Sequence, residues 1–406
     1  MRILILNSDS FFLNKTADLM SDVHDVTLVQ NYTPSLWMVK LLSIIDSMFN
    51  TRLKRLKTRR CKSSKVKIHG LLINDLLKLF SKIAKRLGIP NDRAEALVAK
   101  NFGSMASKYL RDAKILHLRT GYGQGGIIEK AKENGIKIIA DHSIACTEEI
   151  DDILSPEYKK YGINVGIGPK SEFWKLVILD CKEADLIIAN SDYVKSSFIR
   201  HGYDAHKIIV NYLGVREDWF SIKTDYTLKN GLLKILFIGE FGVRKGAEYL
   251  IKASQILNNK GINYKIIVIG KQAEIDNLIR NTDMSHFEFV GTVLYEELKN
   301  YYIQSDVYLF PSLCEGSTRA GMEAMAAGLP VILTENCGCP VQDGRNGLIV
   351  PIKDEKAIAN AVERIYYSEN LRESLGKEAA RTIANNYTWE HYKNNLLSIY
   401  ESLGKY

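Results

Sequence analysis

Residues Pro311-Ser-Leu-Cys-Glu-Gly-Ser-Thr-Arg-Ala-Gly-Met-Glu-Ala-Met-Ala-Ala-Gly-Leu-Pro330 decide how the chain is read. Asp306–Pro311, just before them, is a short apolar strand, and the Ala- and Met-rich run after Thr318 is a helix. Glu315 precedes Glu323 by eight residues. On one continuous helix that spacing means a rotation of about 80° and a rise of about 12 Å, too far for an acid/base pair. Glu315 is therefore expected in the strand-to-helix loop and Glu323 inside the helix. Thr318 and its neighbours then form a helix N-terminus, where free N–H groups and the positive dipole end suit a phosphate. A carboxylate on either side of such a phosphate can accept hydrogen bonds from sugar hydroxyls.

Working outward, Lys234–Gly239, Tyr264–Gly270, His286–Gly291 and Leu329–Thr334 are further short apolar runs with helical segments between them. The first half has the same alternation, with strands expected at Arg2–Asn7, Asp25–Gln30, Lys114–Arg119, Ile136–Asp141, Asp185–Asn190 and Lys207–Tyr212. Continuous apolar runs alternating with helices indicate parallel sheets covered on both faces. The weakly periodic Asn211–Gly231 reads as a linker. The expected architecture is α/β: two doubly wound Rossmann-like domains, 1–213 and 231–387, facing across a cleft. Residues 388–406 form a last helix, which Thr388 caps. A cleft between two such domains is the default ligand site.

The stretch from Glu315 to Glu323, followed by Glu323-Ala-Met-Ala-Ala-Gly-Leu-Pro-Val-Ile332, resembles the retaining glycosyltransferases of family 4, which have the GT-B fold. The resemblance covers most of residues 231–350 strongly and the first half weakly. It implies that Glu323 holds the ribose of a nucleoside-diphosphate sugar and that Glu315 contacts the donor sugar. It also implies that the backbone amides of Gly316, Ser317 and Thr318 contact the distal phosphate. Many members have Phe-Gly after the Glu-Gly, whereas this chain has Ser317-Thr318-Arg319. Gly239-Glu-Phe-Gly-Val-Arg-Lys-Gly246 is similar to the family's basic loop at the first strand of the second domain. Lys245 matches its Lys-Gly position. Many members carry Arg where this chain has Glu240, and Arg244 supplies a guanidinium suited to phosphate. Val290, before Gly291, lies where the family touches the base through backbone atoms. His142, at a strand end in Asp141-His142-Ser143, matches the histidine that reaches the donor sugar. The last helix is expected to cross back onto the first domain, as in that fold.

In this family retaining transfer needs no obvious nucleophile. The diphosphate departs and the acceptor hydroxyl attacks from the same face, so catalysis is positioning and stabilisation of the leaving charge. No D-x-D triplet occurs, so neither a metal nor another cofactor is expected beside the sugar-nucleotide co-substrate. Catalytic roles are expected for His142 and Glu315, and donor binding for Arg244, Lys245, Val290, Gly316, Ser317, Thr318 and Glu323. The expected acceptor is a cell-surface glycan or a lipid-linked one.

Gly121-Tyr-Gly-Gln-Gly-Gly126 formally matches the dinucleotide fingerprint, with Asp141 about 20 residues on. It makes an NAD(P)-dependent oxidoreductase the rival enzyme, but it sits in mid-domain and leaves both glutamates unexplained. A flexible loop at the cleft, near the acceptor, is the role the sequence suggests for it. A non-catalytic sugar-nucleotide-binding protein is the rival from another class.

The chain has 406 residues, 46% of them hydrophobic and 25% charged, which fits folded domains and argues against disorder or coiled coil. Its net charge of +8 is uneven: residues 1–230 carry +10 and residues 231–406 carry −2. Residues 51–70 hold nine basic residues and no acidic one. Arg52, Lys54, Arg55, Arg59 and Arg60 form the candidate membrane and acceptor patch, attracted to an anionic membrane surface. The adjacent stripe of Leu72, Ile73, Leu76, Phe80, Ile83 and Leu87 is expected to pack in the core. No aromatic residue interrupts 50–70 and the rest of the chain is not basic, so nucleic acid is not an expected partner. Six cysteines without a CxxC pair exclude a disulfide scaffold. The start, Met1–Ser8, lacks the longer apolar core of a signal peptide, and no apolar run of about 18 residues occurs. The expected location is the cytoplasm, peripheral on the inner face of the membrane where the patch meets lipid.

Overall fold

The structure is a computed structural model that describes residues 1–8, 11–31, 63–86 and 91–404. Leu36–Phe49 and the patch residues Arg52, Lys54, Arg55, Arg59 and Arg60 lie outside the described residues.

Two parallel sheets form the frame. The first has seven strands: β1 (Arg2–Asn7), β2 (Asp25–Asn31), β3 (Lys67–Leu71), β4 (Ile115–Arg119), β5 (Lys137–His142), β6 (Leu186–Ala189) and β7 (Ile208–Val210). Their order is β3-β2-β1-β4-β5-β6-β7. The second has six: β8 (Leu233–Ile238), β9 (Tyr264–Ile269), β10 (Phe287–Gly291), β11 (Val307–Phe310), β12 (Val331–Thr334) and β13 (Leu348–Val350). Their order is β10-β9-β8-β11-β12-β13. In each sheet the order reverses beside its first strand, which opens a crevice at the carboxyl ends of the strands. Runs such as Ile3-Leu-Ile-Leu6 and Ile266-Ile-Val-Ile269 are buried on both faces, as helices covering both sides require.

Two strands escape the sequence reading. β3 begins in the last residues of the basic stretch, and β13 is three residues long. The 211–231 segment is more than a connector. Ser221 and Lys223 donate backbone amides to Ala326 and Ala327 at 2.8 and 2.9 Å, and Trp219 is fully buried against Tyr295 and Tyr302. The segment is thereby stitched to the second domain.

The final helix, Trp389–Gly404, lies on the first domain. Thr388 caps it, accepting the His391 amide at 3.2 Å. Tyr392, Leu396, Ile399 and Tyr400 enter the core cluster of Ile3, Ile5, Leu13 and Ala17. The Tyr392 hydroxyl meets Thr16 Oγ1 at 2.7 Å, and that of Tyr400 meets His117 Nδ1 at 2.6 Å.

The helix Leu72–Arg86 corrects an expectation. Leu72, Ile73, Leu76, Leu79 and Phe80, at positions i, i+1, i+4, i+7 and i+8, share one face and are 47–65% exposed. Among the helix's described side chains the polar Asn74 and Ser81 are the buried ones, and Asn74 donates to Asn31 Oδ1 at 3.1 Å. A buried asparagine network claims the inner face, so the described part of the apolar stripe points outward instead of into the core.

Candidate functional site

The loops after β8, β11 and β12 meet above the carboxyl ends of the second sheet. The turn Val243–Lys245 leads through Gly246 into the helix Ala247–Asn259. Gly246 has φ +70°, and a Cβ there would lie 2.0 Å from the Pro311 carbonyl oxygen, so only glycine fits. That close approach lets the Arg244 carbonyl accept from the Leu313 amide at 2.9 Å and from Ser312 Oγ at 3.0 Å. On the other side, Asn336 Nδ2 donates to the Leu313 carbonyl at 2.7 Å, and the amides of Glu315 and Thr318 donate to the carbonyls of Asn336 and Cys337.

Glu315 sits in this laced loop, and Glu323 in the helix Arg319–Ala327 behind it. Arg244 Nη1 and Ser312 Oγ donate to Glu315 Oε1 at 3.0 and 2.9 Å, and Lys245 Nζ binds the same oxygen. Burial alone would raise the Glu315 pKa, but Lys245 and then Arg244 hold it below the usual carboxylate range. Glu323 is buried. Tyr295 Oη and Arg319 Nε donate to its Oε1 at 2.6 and 3.0 Å, and the Tyr302 hydroxyl lies 3.4 Å from Oε2. Burial pushes the Glu323 carboxyl above its ordinary pKa. The Arg319 guanidinium lies 4.8 Å over the Tyr295 ring, a cation–π contact that closes the cage.

The Thr318 side chain does not cap the helix that follows it, and its amide is engaged by Cys337. Gly316 marks the seam between the domains. A Cβ there would lie 2.0 Å from the Ser143 carbonyl oxygen, and its own carbonyl accepts from Ser191 Oγ at 2.5 Å. Ser317 lies between these two fixed residues. Val290 falls where the β10–β9 register skips from Phe289 to Gly291, an irregularity that takes its backbone out of the ladder.

His142 ends β5 and is buried. Its Nε2 lies 3.1 Å from the Ala145 carbonyl and its Nδ1 2.9 Å from Thr120 Oγ1. A carbonyl only accepts, so Nε2 carries the proton and Nδ1 accepts from Thr120. Burial, with Arg119 nearby, lowers its pKa to about 4, so the ring is neutral at physiological pH. Ala145 in turn donates its amide to the Glu315 carbonyl at 3.1 Å. The structure thus brings His142, Glu315, Gly316, Arg244 and Lys245 to one seam, with both His142 nitrogens occupied. Glu323 stands one helical segment away, and Val290 at the edge of the second sheet.

A second contact joins the domains. Buried Glu157, on the helix Thr147–Lys159, accepts from Tyr249 Oη at 2.8 Å and from Lys353 Nζ at 2.9 Å, both in the second domain, and from Lys160 Nζ at 2.7 Å. Tyr161 Oη donates to Glu248 at 2.9 Å.

The glycine-rich loop has another occupant. The amides of Gly121 and Gly123 donate to Asp180 Oδ2 at 2.7 and 2.9 Å, and Gln124 Nε2 donates to Oδ1 at 2.8 Å. Asp180 is fully buried, and burial pushes its carboxyl up to about 7. The donors a pyrophosphate would need are spent on an internal carboxylate. The loop is packed too: a Cβ on Gly125 would lie 2.1 Å from the Lys100 carbonyl oxygen. The oxidoreductase reading loses its motif, and the loop is a cradle for Asp180 rather than a flexible element of the cleft.

The sequence reading missed Ser312, Tyr295 and Tyr302 and gave Arg319 no partner. Ser312 three residues before Glu315, and Arg319 four before Glu323, were within reach of spacing. The tyrosines arrive from separate elements. Among the described residues, no helix is long and apolar enough to cross a membrane.

Residues 220–382 match the family model described as Glycosyl transferases group 1. The capsular polysaccharide biosynthesis glycosyltransferase CapM of Staphylococcus aureus is 31% identical over 186 residues, which is 44% of this chain and 49% of CapM. The amylovoran biosynthesis glycosyltransferase AmsK of Erwinia amylovora is 30% identical over 197 residues, 46% of this chain and 48% of AmsK. The chain thus spans about half the length of these curated relatives. Among solved structures, sucrose-phosphate synthase from Thermosynechococcus elongatus superposes with a TM-score of 0.70 at 16% identity, covering 99% of each chain. Anabaena Alr3699/HepE in complex with UDP-glucose does so with a TM-score of 0.61 at 15% identity, covering 99% of this chain and all of that one. The chain has the GT-B fold, two Rossmann-like domains facing each other, and its residues 220–382 match the group 1 glycosyl transferases.

Proposed function

We propose that the chain is a retaining, metal-independent glycosyltransferase that moves a sugar from a nucleoside-diphosphate sugar to a hydroxyl of a cell-surface glycan or lipid-linked acceptor. The observation that carries this reading is the convergence of Arg244, Lys245 and Ser312 on Glu315 beside the interdomain seam. Two cations gathered around one anionic oxygen form a site that a diphosphate can enter by displacing the carboxylate. The names of CapM and AmsK support polysaccharide biosynthesis, and the HepE complex supports a UDP-sugar donor.

In this reading Glu323 accepts ribose hydroxyls after exchanging Tyr295 or Arg319, and Val290 offers its backbone to the base. Arg244, Lys245 and the amides of Gly316 and Ser317 at the Thr318 helix end stabilise the leaving diphosphate, in place of a divalent ion. Glu315, released from its cations, takes a hydroxyl of the donor sugar. Neutral His142 holds the Ser143–Ala145 turn against Glu315 and meets the sugar when its bond to Ala145 opens. Closure of the seam excludes water and limits hydrolysis.

Contact with an anionic membrane surface belongs to the same reading. The outward apolar face of Leu72–Arg86 and the nine basic residues of 51–70 support it, as lipid-facing surface and headgroup attraction. A cytoplasmic enzyme peripheral on the inner face of the membrane follows.

Incubating the chain with UDP-, GDP- and ADP-sugars and an acceptor mixture in chelator, with the anomeric configuration of the product read by NMR, tests the proposal. A transferred sugar with retained configuration is expected. Inverted configuration, or transfer that needs added metal, contradicts it.

A further inference from the structure

Arg119 ends β4 at the carboxyl edge of the first sheet, paired in register with Asp141 on β5. Its side chain is only 23% exposed, and its buried Nη1 has no hydrogen-bond partner. The Nη1 group is out of contact with water and lies 3.9 Å from Asp141 Oδ1, beyond hydrogen-bond reach. The carboxylate is turned to another partner, since His117 Nε2 meets its Oδ2 at 3.2 Å. The guanidinium carbon lies 5.6 Å from the centre of the Phe12 ring, over its face.

A guanidinium has five N–H donors, and buried donors in folded proteins are almost always satisfied. A buried donor without a hydrogen bond destabilises the free protein, and the ion pair with Asp141 at 3.9 Å leaves Nη1 without an acceptor. The next residue, Thr120, holds His142, whose turn reaches Glu315, so Arg119 stands on the side of the first domain that faces the donor loops. The half of the chain that contains it carries +10.

We propose that Arg119 is an anion-binding residue of the first domain, and that the acceptor carries a phosphate or carboxylate group that docks on its guanidinium. This rests on the reading of the first domain as the acceptor side. An oxyanion supplies acceptors that the guanidinium fork recognises and gives Nη1 the partner that no described residue provides.

The test uses the full chain with inorganic phosphate and acetate as probes, at constant ionic strength, and follows the melting temperature. Phosphate is expected to raise it in the native chain and in Arg244→Gln/Lys245→Gln, with the response lost in Arg119→Gln and partly kept in Arg119→Lys. An equal response to acetate identifies a carboxylate, and a response to phosphate alone identifies a phosphoryl group. Without any anion, Arg119→Gln is expected to melt no lower than the native chain, because a buried donor without an acceptor has gone. A lower melting temperature with an undiminished phosphate response makes Arg119 a structural partner of Asp141 and overturns the proposal. A phosphate response kept in Arg119→Gln but lost in Arg244→Gln/Lys245→Gln overturns it too, because the anion then sits at the donor site. UDP, run in parallel, separates the two readings: Arg119→Gln is expected to keep the native UDP shift, whereas a native chain blind to UDP contradicts the donor site and leaves the phosphate arm readable.

Discussion

The backbone amide of Ala145, in the first domain, donates to the backbone carbonyl of Glu315, in the second, at 3.1 Å. Ala145 is also the residue whose carbonyl holds His142 Nε2. One residue thus ties the histidine turn of one domain to the acidic loop of the other, and movement of either domain shifts both.

Glu315 occupies the cations that the proposed function assigns to the diphosphate. Glu315→Gln is therefore expected to bind UDP at least as tightly as the native chain while turnover falls by about 100-fold, the scale of one lost transition-state contact. Calorimetry with UDP and a transfer assay check this. Weaker UDP binding would place Glu315 in nucleotide binding instead.

The domain contact centres on buried Glu157, whose partners come from both domains. Glu157→Gln is expected to lower stability by about 1–3 kcal/mol, since Lys353 and Lys160 lose their shared anion. It is also expected to raise the radius of gyration measured by X-ray scattering without donor. An unchanged radius would mean that the remaining interdomain contacts hold the domains together without Glu157.

Asp180 carries a pH signature. Its carboxyl titrates at about 7 when folded, against an ordinary 3.8. Between those values the folded chain binds a proton that the unfolded chain does not, so this group's contribution to stability falls as pH rises through that window. The slope is about 1.4 kcal/mol per pH unit at most. Asp180→Asn is expected to lack that component, so its urea midpoint relative to the native chain rises between pH 5 and pH 8. A constant difference would remove the titration from Asp180.

Leu76→Ser/Phe80→Ser alters only exposed positions, so stability should change by no more than about 0.5 kcal/mol per site. Binding to vesicles containing anionic lipid is expected to fall several-fold in a sedimentation assay. Undiminished binding would leave the apolar face without a role at the membrane.

Much of the frame was legible because buried parallel strands leave unbroken apolar runs, as in Arg2–Asn7 and Tyr264–Ile269. β3 was not, because Lys67-Ile-His-Gly-Leu71 has no such run and gains its place by pairing with β2. Within the site, the placement of Glu315 in a loop and Glu323 on a helix followed from their spacing. The partners Tyr295 and Ser191 did not, since tertiary folding alone brings them in from 20 residues or more away. The glycines at 121–126 show the same limit. They do form a tight loop of open amides, but Asp180, which fills it, lies more than 50 residues downstream. Periodicity likewise put Leu72, Ile73, Leu76 and Phe80 on one face, but which face turns inward was set by Asn74 and its asparagine partner.

The most direct test of the donor site is calorimetric titration of the native chain, Glu323→Ala and Arg244→Gln/Lys245→Gln with UDP, GDP and ADP in chelator. The account predicts that one nucleotide binds the native chain and that each variant weakens it by about 10- to 100-fold, the scale of a lost hydrogen bond to a charged group. Equal affinity in all three proteins would contradict it, because the nucleotide would then lie away from both Glu323 and the Arg244–Lys245 pair.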